Sequence, residues 1–78
     1  MNPRVVYVKP MPNFQLLLEF EGNDTRIFDV KPYLEIGVFK QLKSEALFNA
    51  VRAIRGTVQW NDEIDFCPDT LYLDSKPC

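Results

Sequence analysis

Chemistry in this chain would have to come from carboxylates and a thiol, because the sequence contains no histidine. That removes the Ser-His-Asp triad, histidine-ligated zinc and the usual near-neutral proton shuttle. The remaining candidates crowd into one stretch, Gly56 to Tyr72. It holds Asp62, Glu63, Asp65, Asp69, Cys67 and the only tryptophan, Trp60. Several carboxylate oxygens are what Mg²⁺ or Ca²⁺ requires. The spacing, however, lacks the Asp-x-Asp-x-Asp-Gly run and closing glutamate of an EF-hand loop. Asp62 and Glu63 are expected to solvate a turn. Asp69 is expected in the first turn of a helix opened by Pro68, where the helix dipole favours an acid. Asp65 lies between Ile64 and Phe66 and is expected to accept hydrogen bonds from backbone N–H groups of the following turn. Cys67 has no histidine to activate it, so it reads as a small buried hydrophobe and not as a nucleophile. No Gly-x-Gly phosphate loop is present. Neither a cofactor nor a metal is expected, and the chain reads as a non-enzyme.

The elements that must position these residues come from a short chain. At 78 residues, with 46% apolar and 26% charged residues, it reads as one small folded domain. Six Phe, three Tyr and one Trp provide bulky rings for a thin core. Trp60 is expected mainly in that core, with an edge available at an interface, and Tyr72 is its candidate partner in an aromatic pair.

Arg4 to Val8 is β-branched and aromatic and reads as a strand. Lys9-Pro10-Met11-Pro12-Asn13 is expected to break it. Phe14, Leu16, Leu18 and Phe20 alternate with Gln15, Leu17 and Glu19, the period of a core strand. Glu21-Gly22-Asn23-Asp24 reads as a hairpin loop and Thr25 to Asp29 as the returning strand. Asp29 and Pro32 mark a helical turn, and Phe39 and Leu42 anchor an irregular one. Ser44 opens an amphipathic helix ending near Val51, and a strand from Ala53 turns at Gly56 into Val58-Gln59-Trp60. Residues 73–78, with Pro77, read as a loose tail, and Cys78 as frayed.

Charge is divided unevenly. Residues 1–55 carry eight basic and six acidic groups (net +2), and residues 56–78 carry one basic and five acidic groups (net −4). The overall charge of −2 argues against nucleic acid as the direct partner, and Arg52 and Arg55 are too few to change that. No apolar run approaches the roughly 20 residues that span a bilayer. The start, Met1-Asn2-Pro3-Arg4, has no apolar segment of a secretory leader. Two cysteines with no Cys-x-x-Cys fit a reduced, cytoplasmic setting.

One family shares this order of residues. Phe14-x-Leu16-x-Leu18-x-Phe20-Glu21-Gly22, Phe28-Asp29-Val30-x-Pro32-Tyr33-Leu34 and Phe39-x-x-Leu42 are followed by Leu47-Phe48, Val51 and Gly56-Thr57-Val58-x-Trp60. Asp65-x-x-Pro68-Asp69-Thr70-Leu71-Tyr72 closes the series. The whole resembles the small bacterial domain of unknown function family 2442, over roughly residues 5–72. The usual glycine after the tryptophan is replaced here by Asn61-Asp62-Glu63. The resemblance implies a small α+β protein, with some members encoded beside another small domain in toxin–antitoxin-like pairs. It brings no catalytic residues.

The expected fold is α+β. A small antiparallel sheet of about five strands, built from an N-terminal three-stranded meander and a C-terminal hairpin, carries one short packed helix. The expected function is a non-enzymatic protein-interaction module, the antitoxin-like or regulatory half of a small bacterial protein pair. Trp60, Asp62, Glu63, Asp65, Asp69 and Tyr72 would form the partner-binding set, facing a small protein with a basic surface. The alternative is a self-associating accessory domain, because Leu17 is apolar on the strand face opposite the core. A metal-dependent enzyme ranks below both.

Overall fold

Apolar residues at every second position of the first third build a three-stranded antiparallel meander. In the computed structural model, which describes residues 2–77, these strands are β1 (Val5–Met11), β2 (Gln15–Phe20) and β3 (Asp24–Asp29). Leu16, Leu18 and Phe20 face inward and are almost fully buried. A bulge between Val5 and Tyr7 shifts the β1–β2 register by one residue. Pro10 does not break β1: it pairs opposite Leu16. β1 is the outer strand of its sheet, and an outer strand has a side on which no ladder N–H is needed. The break comes at Asn13 and Phe14, both at positive φ (64° and 57°).

Beyond β3 the chain makes a 3₁₀ turn at Lys31–Tyr33, where the Asp29 carboxylate accepts the Lys31 N–H at 3.0 Å. A second 3₁₀ segment, Gly37–Lys43, buries Leu42. Helix α1 spans only Glu45–Phe48, shorter than the expected run to Val51. Ser44 stands at its N-cap position but makes no side-chain capping bond. At its end the Phe48 carbonyl accepts the Trp60 indole N–H at 2.9 Å and the Val51 N–H at 3.4 Å, so this terminal acceptor is satisfied from the sheet and the following turn.

A second antiparallel sheet follows: β4 (Arg52–Ile54), β5 (Thr57–Asn61) and β6 (Ile64–Asp65). Arg55 and Gly56, at φ 53° and 83°, form the two-residue turn between β4 and β5, the sign pattern a type I′ hairpin needs. Glycine is required at 56 for a further reason. An added Cβ there would lie 2.8 Å from Arg4 Cδ.

Helix α2 (Pro68–Asp74) has proline in its first turn and buries Leu71. Leu73 and Asp74 complete that helix, and Lys76–Pro77 form β7, which pairs with Ile27 and Arg26 of β3. The segment expected to be loose is therefore ordered up to Pro77; Cys78 lies outside the described residues.

The fold is α+β, as expected, but not with a single five-stranded sheet and one helix. Among the described residues, seven strands form a four-stranded sheet (β1-β2-β3-β7) and a three-stranded sheet (β4-β5-β6), with two short helices. The Val5 N–H to Gly56 carbonyl bond, 2.9 Å, joins the sheets at one corner without merging them.

Between them runs a line of aromatic rings. Phe14 meets Phe48, Phe48 meets Trp60, and Trp60 meets Phe66, at centroid distances of 5.3, 6.1 and 5.8 Å. Phe66 also contacts Phe28, Tyr33 and Phe39. Edge-on and offset ring contacts of this kind add to the stabilisation from burial alone.

Candidate functional site

The β5–β6 hairpin is fixed by its alternation. Val58, Trp60, Ile64 and Phe66 are buried, which turns Asp65 and Cys67 outward, while Asp62 and Glu63 stand exposed at the tip of the turn. Its turn closes without glycine because Asn61 supplies the hydrogen bonds: Asn61 Oδ1 accepts from the Glu63 and Ile64 N–H groups at 2.8 and 3.1 Å. This is the role expected of Asp65. Asp65 instead is exposed and, among the described residues, its carboxylate has no hydrogen bond or ion pair. The segment after it is held from the other side, where Thr57 Oγ1 donates to the Phe66 carbonyl. Cys67 is exposed and not buried, since Phe66 and Leu71 fill the inward positions on either side.

Asp69 lies in the first turn of α2, and its Oδ1 accepts from Asn2 Nδ2 at 3.1 Å. Trp60 is core, 5% exposed. Tyr72 is half-buried with its own partners: the Phe20 ring at 5.2 Å, the Arg26 guanidinium 4.1 Å from its ring centre, and an Arg26 hydrogen bond to its hydroxyl at 3.2 Å. Trp60 and Tyr72 thus belong to separate aromatic groups. The structure unites Asp62, Glu63 and Asp65 on one hairpin, with Trp60 beneath them and Asp69 and Tyr72 on the neighbouring helix.

A family model described as "Protein of unknown function (DUF2442)" matches residues 5–77. The chain belongs to this family. No curated protein and no solved structure matches it. In this DUF2442 domain the family-like segments around Trp60 and Pro68 serve to close the core, through Trp60, Phe66 and Leu71.

Among the described residues of the DUF2442 domain, no three His, Cys, Asp or Glu side chains are grouped so as to hold a metal ion. No helix there is long and apolar enough to cross a membrane. The hydrogen bond that Arg26 donates to Asp24 is the main cause of a raised pKa at Arg26, with desolvation opposing it. Burial, then the Asp74 carboxylate that accepts its hydroxyl proton at 3.1 Å, pushes the Tyr33 phenol up. The hydrogen bond and charge of Lys43 hold Glu35 below its ordinary value.

Two residues important to the geometry escaped the reading of the sequence. Asn61 had a usable signal, an asparagine opening a polar turn. Arg26 had none, because its partner Tyr72 is 46 residues away.

Proposed function

We propose that this domain is a non-enzymatic protein-interaction module, the antitoxin-like or regulatory half of a small bacterial protein pair in the cytoplasm. Its partner is a small protein with a basic surface. One observation carries the reading. Asp62, Glu63 and Asp65 have no ion pair or side-chain hydrogen bond among the described residues, on a hairpin pinned to the core by Trp60 and closed at its turn by Asn61. Several acids elsewhere are engaged within the domain, as Asp24 is with Arg26, Asp29 with Lys31 and Glu35 with Lys43, and the unengaged Glu45 lies apart, on α1. Three unspent negative charges on a rigid support favour encounter with a positive surface. The antitoxin-like and bacterial parts of the proposal rest on the family resemblance alone. The cytoplasmic part draws on the exposed free thiol of Cys67, which suits a reducing compartment.

Co-expression with the adjacent gene's product tests the reading. The two are expected to co-purify, and this protein to relieve any toxicity of its neighbour. The variant Asp62→Asn/Glu63→Gln/Asp65→Asn should bind about tenfold more weakly at moderate salt, summing three exposed charge contacts. No co-purification together with no effect on toxicity would sink the proposal.

A second reading is self-association through the outer face of the four-stranded sheet. The strand register places Lys9, Leu17 and Ile27 in one row across β1, β2 and β3, and Tyr7, 47% exposed, lies on the same face. Equilibrium sedimentation distinguishes it: a monomer at roughly tens of micromolar counts against a face that depends on oligomerisation.

A further inference from the structure

We infer that a cleft between the β1–β2 turn and α1 receives a lysine or arginine side chain of the partner protein. The inference rests on the domain being a protein-interaction module, and it names an anchoring point distinct from the acidic hairpin. The cleft has a volume of about 310 Å³, with the Pro10–Phe14 turn as one wall and Glu45, Phe48 and Asn49 as the other.

Its chemistry is one-sided. Glu45 is the only ionisable side chain in the lining, it is exposed, and among the described residues its carboxylate has no hydrogen bond or ion pair. Pro10, Met11, Pro12 and the Phe14 ring supply apolar patches to a lining that is otherwise mainly polar, and Asn13 and Asn49 add neutral amides. A long basic side chain matches both halves. Its methylenes cover apolar wall while its cationic head reaches the carboxylate and amide oxygens. An anion would meet Glu45 with no cation to offset it. A wholly apolar group would leave the carboxylate without a partner.

The backbone supplies an independent sign. Phe14 is held at φ 57°, a left-handed conformation that is an outlier for a bulky aromatic residue. Two contacts keep it there: its carbonyl accepts the Val30 N–H at 2.9 Å, and its ring packs edge-on against Phe48. Strain of this kind, imposed by the surroundings, collects at binding sites. Its result here is a ring set into the cleft wall. The volume lies at the low end of the roughly 300–1,000 Å³ typical of small-ligand pockets, which favours one side chain over a whole cofactor.

The site also has a built-in reporter. Trp60, the only tryptophan, contacts the Phe48 ring from beneath and donates to its carbonyl. The test is an amide-shift NMR titration of the intact domain with N-acetyl-arginine amide and N-acetyl-lysine amide, with Trp60 fluorescence in parallel. N-acetyl-citrulline amide, a neutral isostere of the arginine probe, is the control. Saturable shifts are expected at Asn13, Phe14, Glu45 and Asn49, with citrulline binding about fivefold more weakly, the worth of one exposed charge contact. Glu45→Gln should weaken the arginine probe by a similar factor, and the triple hairpin variant should leave it unchanged. Equal binding of arginine and citrulline, shifts centred on residues 61–65, or no shifts up to the solubility limit would overturn the inference. If the titration fails while the hairpin variant still loses the partner, the cleft assignment falls and the interaction-module reading stands.

Discussion

Two acid-bearing corners of this domain use the same residue type in opposite ways. At Asp24, the carboxylate meets Arg26 at 3.0 Å, and Arg26 in turn lies against the ring and hydroxyl of Tyr72. The acid there is part of a joint between β3 and α2. At the β5–β6 hairpin, a neutral amide, Asn61, does the structural work, and Asp62, Glu63 and Asp65 hold nothing together. The difference is not in the acids but in what the fold brings to them. Asp24 has its cation two residues along the same strand, and that cation is itself seated on α2 through Tyr72, whereas a carboxylate with no cation within reach stays available for a partner.

The largest expected effect tests whether the hairpin depends on the core beneath it. Trp60→Ala removes a buried ring in contact with Phe48 and Phe66 and takes the indole donor from the Phe48 carbonyl. A loss of about 3–5 kcal/mol in urea unfolding is expected, a large share of a small domain's stability. Asp62→Asn/Glu63→Gln/Asp65→Asn should instead change stability by no more than about 0.5 kcal/mol at each site. A clearly larger loss in the triple variant would show that those acids do hold the hairpin and would end the contrast.

The parts of this molecule that could be read from its sequence are those governed by local periodicity. Leu16, Leu18, Phe20, Val58 and Trp60 announce their burial by alternation, and Pro68 marks the start of α2 by its position. The failures follow a pattern as well. Pro10 looked like a break because its tolerance depends on β1 being an outer strand, a property of the sheet. Lys76–Pro77 looked loose because its partner, β3, lies some 50 residues earlier in the chain. Asp65 and Cys67 were placed by their apolar neighbours, but alternation through Ile64 and Phe66 turns them outward. That Asp62 and Glu63 face solvent at a turn was legible. Which acids are engaged elsewhere was not, since Asn2 with Asp69 and Tyr33 with Asp74 pair over separations of 67 and 41 residues.

A smaller effect sharpens the other side of the comparison. Tyr72→Phe keeps the edge-on contact with Phe20 and the ring under Arg26 but removes the hydroxyl that Arg26 donates to. A loss of about 1 kcal/mol is expected by urea unfolding, the usual net worth of one hydrogen bond. It should exceed the change from neutralising any single hairpin acid. A neutral outcome would mean that the corner is held by packing and the Asp24 pair alone.

The smallest effect concerns a third acid, Asp74, and appears only at high pH. The Tyr33 phenol is raised above its ordinary value of 10.0, by burial first and then by the Asp74 carboxylate that accepts its proton. The fold therefore favours the neutral phenol. That contribution is fully present below the unfolded-state pKa and is lost as pH rises through the higher folded-state one. Tyr33→Phe retains the ring contacts with Phe28 and Phe66 and carries no proton to lose. The stability difference between the parent and this variant should stay flat from neutral pH up to the ordinary tyrosine range. Above that range it should shrink or reverse, as tyrosinate forms beside Asp74. Unfolding curves for both proteins across this window, with tyrosinate absorbance marking ionisation, measure it directly. A difference that grows with pH would mean that the charged phenolate is the favoured form, and that Asp74, like the hairpin acids, carries no structural load.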